Sequence, residues 1–318
     1  MGDSAVLAGL ELGADRLALG LAGIGGAWGP VDEAESLATL QLALARGVRV
    51  FDAAPSYGMA EQLLGRALAE WRGSRPIVST KVGRVSSNSA HEEFYDFSSA
   101  GLRRSLEGSL RTLGLAQVDL LFVHEPQMVP PAERPRVVAN LREFQAAGLT
   151  RRLGLAGGFG VEWDGWIESG AFDVVMLFRR LDPCILDGLA DDVPRLRRHG
   201  MAIYGASPLH MGLLGARHDE FVRERPAWVW GPQIDRAIRL KQVADRHGLP
   251  LATLAHRFTY GLAELDRVVI GASNRRELES ALNDIDAGPL PVEIFDAVCR
   301  VNAGENHETH ERHEKDRS

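Results

Sequence analysis

Four residues of this chain have types and positions suited to proton transfer at a carbon–oxygen bond: Asp52, Tyr57, Lys81 and His124. Asp52 ends the apolar run Val48–Asp52, Lys81 ends Ile77–Lys81, and His124 ends Val118–His124. Tyr57 lies in the loop Ala53–Gly58, just past Asp52. Lysine is scarce here. Of 36 lysines and arginines, only Lys81, Lys241 and Lys315 are lysines. With arginine the default cation, a lysine at the end of a buried strand needs its own reason. An ammonium approaches a phenol or carboxylate as a compact charge and tunes its pKa, which a bulky guanidinium does poorly. A free tyrosine titrates at roughly pH 10. A neighbouring ammonium favours the phenolate, so Lys81 is expected to lower that value and make Tyr57 a usable general acid or base. Asp52 is expected to hold Lys81 in place and charged, and His124 to hydrogen-bond the substrate oxygen. Each residue alone has an ordinary explanation as a helix cap, a packed ring or a structural histidine. Their arrival at one rim from three neighbouring strands carries the reading. The set offers no strong nucleophile and no three-ligand metal shell, so a hydride must be handled by something the protein binds.

The elements that must position these residues alternate. β-rich runs occur at Arg16–Gly20, Val48–Asp52, Ile77–Lys81, Val118–His124, Arg152–Ala156, Val174–Phe178, Ala202–Ala206 and Val268–Gly271. Between them, Glu33–Ala45, Ala60–Trp71, Ser99–Leu113, Glu133–Ala147, Val193–His199 and Pro232–His247 repeat apolar residues every three or four positions, the period of a helix packed by one face. Gly47, Gly148 and Gly200 stand where left-handed helix caps are expected. Eight alternating units predict an α/β fold, a single-domain (β/α)8 TIM barrel with long loops at its C-terminal rim. A doubly wound sheet competes, but Gly20-Leu21-Ala22-Gly23-Ile24-Gly25-Gly26 does not carry the spacing of a dinucleotide-binding turn. The longest interruptions, Gly83–Phe97 and Pro208–Trp230, leave the rim where a binding site would form. Residues 1–304 are expected to form the barrel. Residues 305–318 are expected to be a charged, disordered tail, in which His307, His310 and His313 lack an apolar anchor.

Bulk properties narrow the classes. Among 318 residues, 45% are apolar and 25% charged, as in a globular enzyme with a sizeable core. The net charge of −7 argues against a nucleic-acid surface. No apolar run reaches the roughly 18 to 20 residues a membrane span needs. The N-terminal residues lack a secretory pattern, and Cys184 and Cys299 read as free thiols, so a cytoplasmic location is expected. No metal site is predicted, no heptad repeat points to a coiled-coil partner, and the oligomeric state is left open.

Phe51-Asp52-Ala53-Ala54-Pro55-Ser56-Tyr57-Gly58-x-x-Glu61-x-x-Leu64-Gly65, then Ser79-Thr80-Lys81, then Asp119-x-x-x-x-His124, resemble the signature blocks of the aldo-keto reductases. The resemblance continues through Arg152-Leu153-Gly154, Ala206-Ser207-Pro208-Leu209 and Ile270-Gly271-Ala272-Ser273, and covers about residues 12 to 300. It implies a barrel that binds an extended nicotinamide dinucleotide without a Rossmann motif, with Asp52, Tyr57, Lys81 and His124 as the catalytic tetrad. Cofactor contacts are implied at Gly20, Leu21, Asp52, Ala156, Ser207 and Pro208. They extend to Leu209, Gly212, Gly271, Ala272, Ser273 and Glu277.

The chain also departs from the common family pattern. Ala156-Gly157 replaces the usual Ser-Asn, Leu177 stands where a carboxamide-binding Gln is common, and Ala206 replaces a stacking Tyr. Arg179 or Arg180 is expected to compensate. These departures, with Ser98-x-x-Gly101-x-x-x-Ser105-x-x-x-Ser109-Leu110-x-x-Leu113-Gly114 and His124-Glu125-Pro126, resemble the L-fucose and D-threo-aldose 1-dehydrogenase subgroup, to which a pyridoxal dehydrogenase is related. The implied function is oxidation of an aldose such as L-fucose or D-arabinose to its lactone. The alternatives are a general NADPH-dependent aldehyde or ketone reductase, a pyridoxal dehydrogenase, or a non-catalytic nucleotide-binding accessory protein. Trp28, Tyr57, His124 and Arg180 are the expected substrate contacts, with Trp228 and Trp230 as further candidates. Gly271 and Glu277 stand where NADP-preferring members carry cations, which favours NAD, while Arg275 and Arg276 keep NADP open.

Overall fold

All eight apolar runs form strands, and their ends meet in a closed ring. The structure, a computed structural model, describes residues 5–85 and 94–303. The barrel strands are β1 (Leu17–Gly20), β2 (Val50–Asp52), β3 (Ile77–Val82), β6 (Val118–His124), β7 (Thr150–Gly157), β8 (Val174–Phe178), β9 (Ala202–Ala206) and β10 (Arg267–Gly271). A short antiparallel pair, β4 (Arg84–Val85) and β5 (Phe94–Tyr95), stands apart from the barrel. The ring order is β1-β10-β9-β8-β7-β6-β3-β2, with every neighbouring pair parallel. This is a (β/α)8 barrel. Expected boundaries hold within two residues at nearly every end; β2 starts at Val50 rather than Val48, and β7 is longer at both ends.

The helices that separate the strands are set by local signals. Asp32 accepts from the backbone of Ala34 and Glu35 at the start of Glu33–Ala45, Ser98 caps Ser99–Leu113, and Asn274 caps Arg275–Asp286. Gly47, Gly148 and Gly200 adopt left-handed φ angles of 88°, 73° and 69°, as their positions after helices predicted. One expectation changes: the long segment Pro208–Trp230 contains the helix His218–Glu224. Only Phe221 of that helix is buried, so its apolar signal is too sparse to read as a period. The tail residues 305–318, including His307, His310 and His313, lie outside the described residues.

Side chains fill the barrel rather than leaving a pore. Ala18, Val50, Leu120, Phe122, Val174, Met176, Ala202 and Tyr204 form its interior, closed from below by Leu7 and Leu12. A second apolar layer packs between strands and helices, with Leu63, Leu106, Leu141, Ile203 and Phe258 among its buried members. The lower end is locked by Arg267, which is fully buried. Its guanidinium donates to the carbonyls of Leu12, Gly13 and Asp15 and to the Tyr204 hydroxyl, at 2.6 to 3.1 Å. Burial pushes the Tyr204 phenol up to about 12, so it stays protonated beside that cation. Arg267 thus ties the N-terminal segment to the base of the barrel, alongside the packing of Leu7 and Leu12 and the bond from Arg152 Nε to the Leu10 carbonyl at 2.9 Å.

Removing that side chain strands three carbonyls and a phenol, each unsatisfied buried group costing about 1–3 kcal/mol. Arg267→Ala is expected to lower unfolding stability by at least about 3 kcal/mol in urea titration, while the remote rim keeps its ligand affinity. A loss below about 1 kcal/mol would show that the lock contributes little.

Candidate active site

The register of the barrel brings the four sequence-selected residues to one rim. Asp52 pairs with Gly20 and Ser79, Lys81 with Phe122, and His124 with Ala156. Asp52, Lys81 and His124 are all buried. Lys81 Nζ donates to Asp52 Oδ2 at 2.5 Å and to the Ala53 carbonyl at 2.9 Å, while Ser79 donates to Asp52 Oδ1 at 2.7 Å. Both carboxylate oxygens are thus engaged. The same ammonium lies 4.6 Å from the centre of the Tyr57 ring. Tyr57 and His124 meet edge to face, with centroids 5.6 Å apart, and Ser56 Oγ is 3.4 Å from His124 Nδ1.

Tyr57 is held by a close backbone crossing. Met59 N donates to the Gly25 carbonyl at 2.8 Å. A Cβ on Gly25 would overlap the Tyr57 carbonyl oxygen, and one on Gly58 would overlap the Gly25 oxygen. Gly58 also has a φ of 58°. The loop between β2 and its helix can therefore pass over Ala22–Gly25 only because both residues lack a side chain.

Charge and burial compete at this rim. Burial opposes the charge on Lys81, but the Asp52 carboxylate and Tyr57 outweigh it and hold the ammonium above its ordinary range. For Tyr57, burial raises the phenol and the Asp52 charge adds to it, against the pull of Lys81 and Arg84. The result is a rise, which corrects the expectation that Lys81 would bring this phenol below its ordinary value. Burial, Lys81 and Arg84 together hold His124 well below the ordinary histidine value. The site therefore presents a protonated phenol, a charged ammonium and a neutral imidazole.

These groups open onto a cavity of about 890 Å³. Eleven of the twelve expected cofactor contacts stand on its wall: Gly20, Asp52, Ala156, Ser207, Pro208, Leu209, Gly212, Gly271, Ala272, Ser273 and Glu277. Leu21 does not line it; this residue is fully buried and its N–H bonds the Asp52 carbonyl. Trp28 lines the cavity and is 65% exposed, leaving an indole face for a ligand. Arg180 is not on the cavity wall. Its guanidinium pairs with Asp192 at 3.1 Å and Asp191 at 3.8 Å. Arg179 lies 5.4 Å over the Phe178 ring. Trp228 packs on Phe221, Trp230 precedes the helix Gly231–Arg246, and neither lines the cavity.

Sequence reasoning overlooked several wall residues: Arg84, Glu125, Met176, Phe178 and His256. Two had a usable signal, since Arg84 follows Lys81 by three residues and Glu125 directly follows His124. His256 is fixed by a 2.8 Å bond from its Nδ1 to Asp284, a pairing made across two helices and invisible in sequence.

The wall suits a dinucleotide. Ser207, His210 and Met211 adopt φ angles of 67°, 48° and 59°, giving a strained turn above β9. Buried His210 braces that turn, bonding Asp182 at 2.8 Å and Gln233 at 3.0 Å. Nearby, the capped N-terminus of Arg275–Asp286 brings Ser273, Arg276 and Ser280 to the cavity, a placement that favours a phosphate group. Above Gly271 the space for a Cβ is open. Glu277 is partly committed, because its Oε2 accepts from the Ser273 N–H at 2.8 Å. Arg275 is turned to Glu35, at 2.8 Å. Arg276 stays on the wall.

Residues 16–303 match the sequence pattern described as the Aldo/keto reductase family. The pyridoxal 4-dehydrogenase of Microbacterium luteolum is 29% identical over 299 residues, covering 82% of this chain and 86% of that protein. The L-galactose dehydrogenase of Arabidopsis thaliana is 29% identical over 301 residues, covering 88% of each. The D-threo-aldose 1-dehydrogenase of a Pseudomonas species is 26% identical over 315 residues, covering 90% of this chain and 94% of that protein.

The neutral state of His124 can be read directly. Its imidazole resonance, assigned by difference against His124→Gln, is expected to show no protonation step near the ordinary value of about 6.5 and to titrate only at lower pH. A midpoint at or above that value would contradict the electrostatic picture.

Proposed function

The chain belongs to the aldo/keto reductase family and is an NAD(P)-dependent oxidoreductase, and from that premise we propose that it oxidises the hemiacetal carbon of an aldose to a lactone. The observation that carries the proposal is the Lys81 ammonium, bonded to Asp52 and packed on Tyr57 beside a neutral His124, at a cavity large enough for cofactor and sugar. A nicotinamide cofactor held along Ser207–Leu209, Gly271–Ser273 and Glu277 would supply the hydride acceptor for oxidation and the hydride donor for carbonyl reduction. Tyr57 Oη takes the hydroxyl proton in the oxidative direction and gives it back in the other. Lys81 stabilises the phenolate that forms, Asp52 keeps Lys81 charged, and His124 holds the substrate oxygen as a neutral hydrogen-bond partner. Because burial keeps the Tyr57 proton on at neutral pH, oxidation speeds up as pH rises, whereas reduction already finds its acid in place.

An aldose is supported by the wall chemistry and by the relatives. Trp28 offers an indole face to a sugar ring, and Arg84 and Glu125 add polar groups near the reacting centre. The L-galactose and D-threo-aldose dehydrogenases carry this reading to the substrate class. A second reading, pyridoxal, is favoured by Trp28 and Phe178 on the wall and by the pyridoxal 4-dehydrogenase relative.

The cofactor proposed is NAD. The Glu277 carboxylate on the wall opposes a 2′-phosphate and has one oxygen beyond its bond to Ser273 for a ribose hydroxyl. Arg276 gives NADP a weaker foothold.

Absorbance of the reduced nicotinamide, followed with L-fucose, D-arabinose, L-galactose or pyridoxal, tests the whole reading. Rapid reduction of NAD by an aldose is the expected result. Consumption of NADPH by simple aldehydes without aldose oxidation would make the protein a general reductase, and no turnover on any of these would favour an accessory role. Glu277→Gln is expected to shift the ratio of NADP to NAD dissociation constants about tenfold toward NADP in fluorescence titration, roughly the effect of one charge contact. An unmoved ratio would remove Glu277 as the selector.

A further inference from the structure

Beside His124 the cavity carries a charged group that the proton chemistry does not use. Glu125 directly follows His124, Arg84 stands three residues past Lys81, and both line the cavity. Arg84 Nη1 donates to Glu125 Oε1 at 3.2 Å, and the Tyr95 hydroxyl donates to the other carboxylate oxygen. Arg84 and Tyr95 are register partners in the β4–β5 pair, so one small hairpin brings both donors to the acid. The two charged side chains are 28% and 23% exposed, which leaves polar surface for a ligand. Glu125 also has an unusual backbone, with φ 55° and ψ 64°, secured by its N–H bond to the Ala156 carbonyl at 2.8 Å. A non-glycine residue in this region costs conformational energy, and such costs gather where a side chain must be aimed. The pair shares its cavity with Tyr57 and His124, whose rings meet edge to face, and Glu125 is the chain neighbour of that histidine.

We infer that Glu125 and Arg84 form a hydroxyl-recognition subsite that selects neutral, polyhydroxylated substrates over deoxygenated and anionic ones. The inference rests on the proposed reading that a hemiacetal or carbonyl reacts at Tyr57. A sugar hydroxyl can donate to the carboxylate and accept from the guanidinium at once, so two hydroxyls next to the reacting carbon satisfy both charges. An alkyl chain in the same place covers them and returns no hydrogen bond. A substrate carboxylate meets the like charge of Glu125.

Carbonyl reduction separates this inference from the aldose reading, because it can be measured whether or not any aldose reduces NAD. The ratio of kcat/KM for D-glyceraldehyde over propanal is expected to be about tenfold or more in the wild type, the weight of a hydrogen bond to a charged group. In Glu125→Gln it is expected to fall to about two or less, with the loss carried by KM for glyceraldehyde. An unchanged ratio, or a fall shared by both substrates through kcat, would overturn the subsite and leave Glu125 a structural strut. The unmodified enzyme provides a check that needs no folded variant: erythritol is expected to compete with propanal at least about tenfold more tightly than 1-butanol does. Equal inhibition by the two alcohols would also overturn it.

Discussion

A buried ion pair between Lys81 and Asp52 sets the electrostatics of this candidate active site. Taking two charges out of water costs several kcal/mol for each ion, and their attraction returns that only when the geometry is good and the remaining valences are filled. Here they are. Asp52 receives Ser79 and Lys81 on its two oxygens, and Lys81 adds the Ala53 carbonyl. Such a pair is a poor source of stability compared with apolar residues of similar volume. Its effect is chemical: it keeps a positive charge beside the half-buried Tyr57 ring and near a histidine that burial, with Lys81 and Arg84, holds neutral. Burial and that contact together leave a proton donor, a charge to hold its conjugate base and a neutral hydrogen-bond partner.

The barrel lets that contact exist by separating the regions that provide stability from those that do the chemistry. At the lower end, Arg267 ties the N-terminal segment to β10 and Tyr204, and the interior above it is packed with apolar side chains. At the upper end the strands stop with polar residues in register, and the loops supply what the strands cannot. The Gly25–Gly58 crossing fixes Tyr57, the braced turn after β9 shapes the cavity wall, and the β4–β5 pair delivers Arg84 and Tyr95 to Glu125. A change at one end can therefore alter stability with little effect on the chemistry at the other.

The sequence made the frame legible because the frame depends on local patterns. Eight apolar runs separated by helical periods leave one economical closure, and strand-end positions then place Asp52, Lys81 and His124 together at one rim. Quantities that depend on three-dimensional neighbours were not legible. The sign of the Tyr57 shift turns on how deeply the ring is buried, and proximity to Lys81 alone suggested the opposite. Arg180 was expected to contact the substrate, but Asp191 and Asp192 pair with it away from the cavity wall. Glu277 was read as a ribose acceptor, and one of its oxygens closes the backbone at the start of its own helix. Glu125 was quoted only as part of a motif, since its partners Arg84 and Tyr95 reach it from a separate hairpin.

The most direct test of the account replaces Lys81 with methionine, which keeps much of the stem and removes the charge. The quantity to measure is single-turnover hydride transfer across pH, with cofactor affinity determined on the same samples. Loss of at least about a hundredfold in the transfer rate, with cofactor dissociation changed by less than about threefold, is the predicted outcome for a residue that supports acid–base catalysis. A Lys81→Met protein that binds cofactor normally and transfers hydride at close to the wild-type rate would contradict the claim that the buried ion pair governs the site.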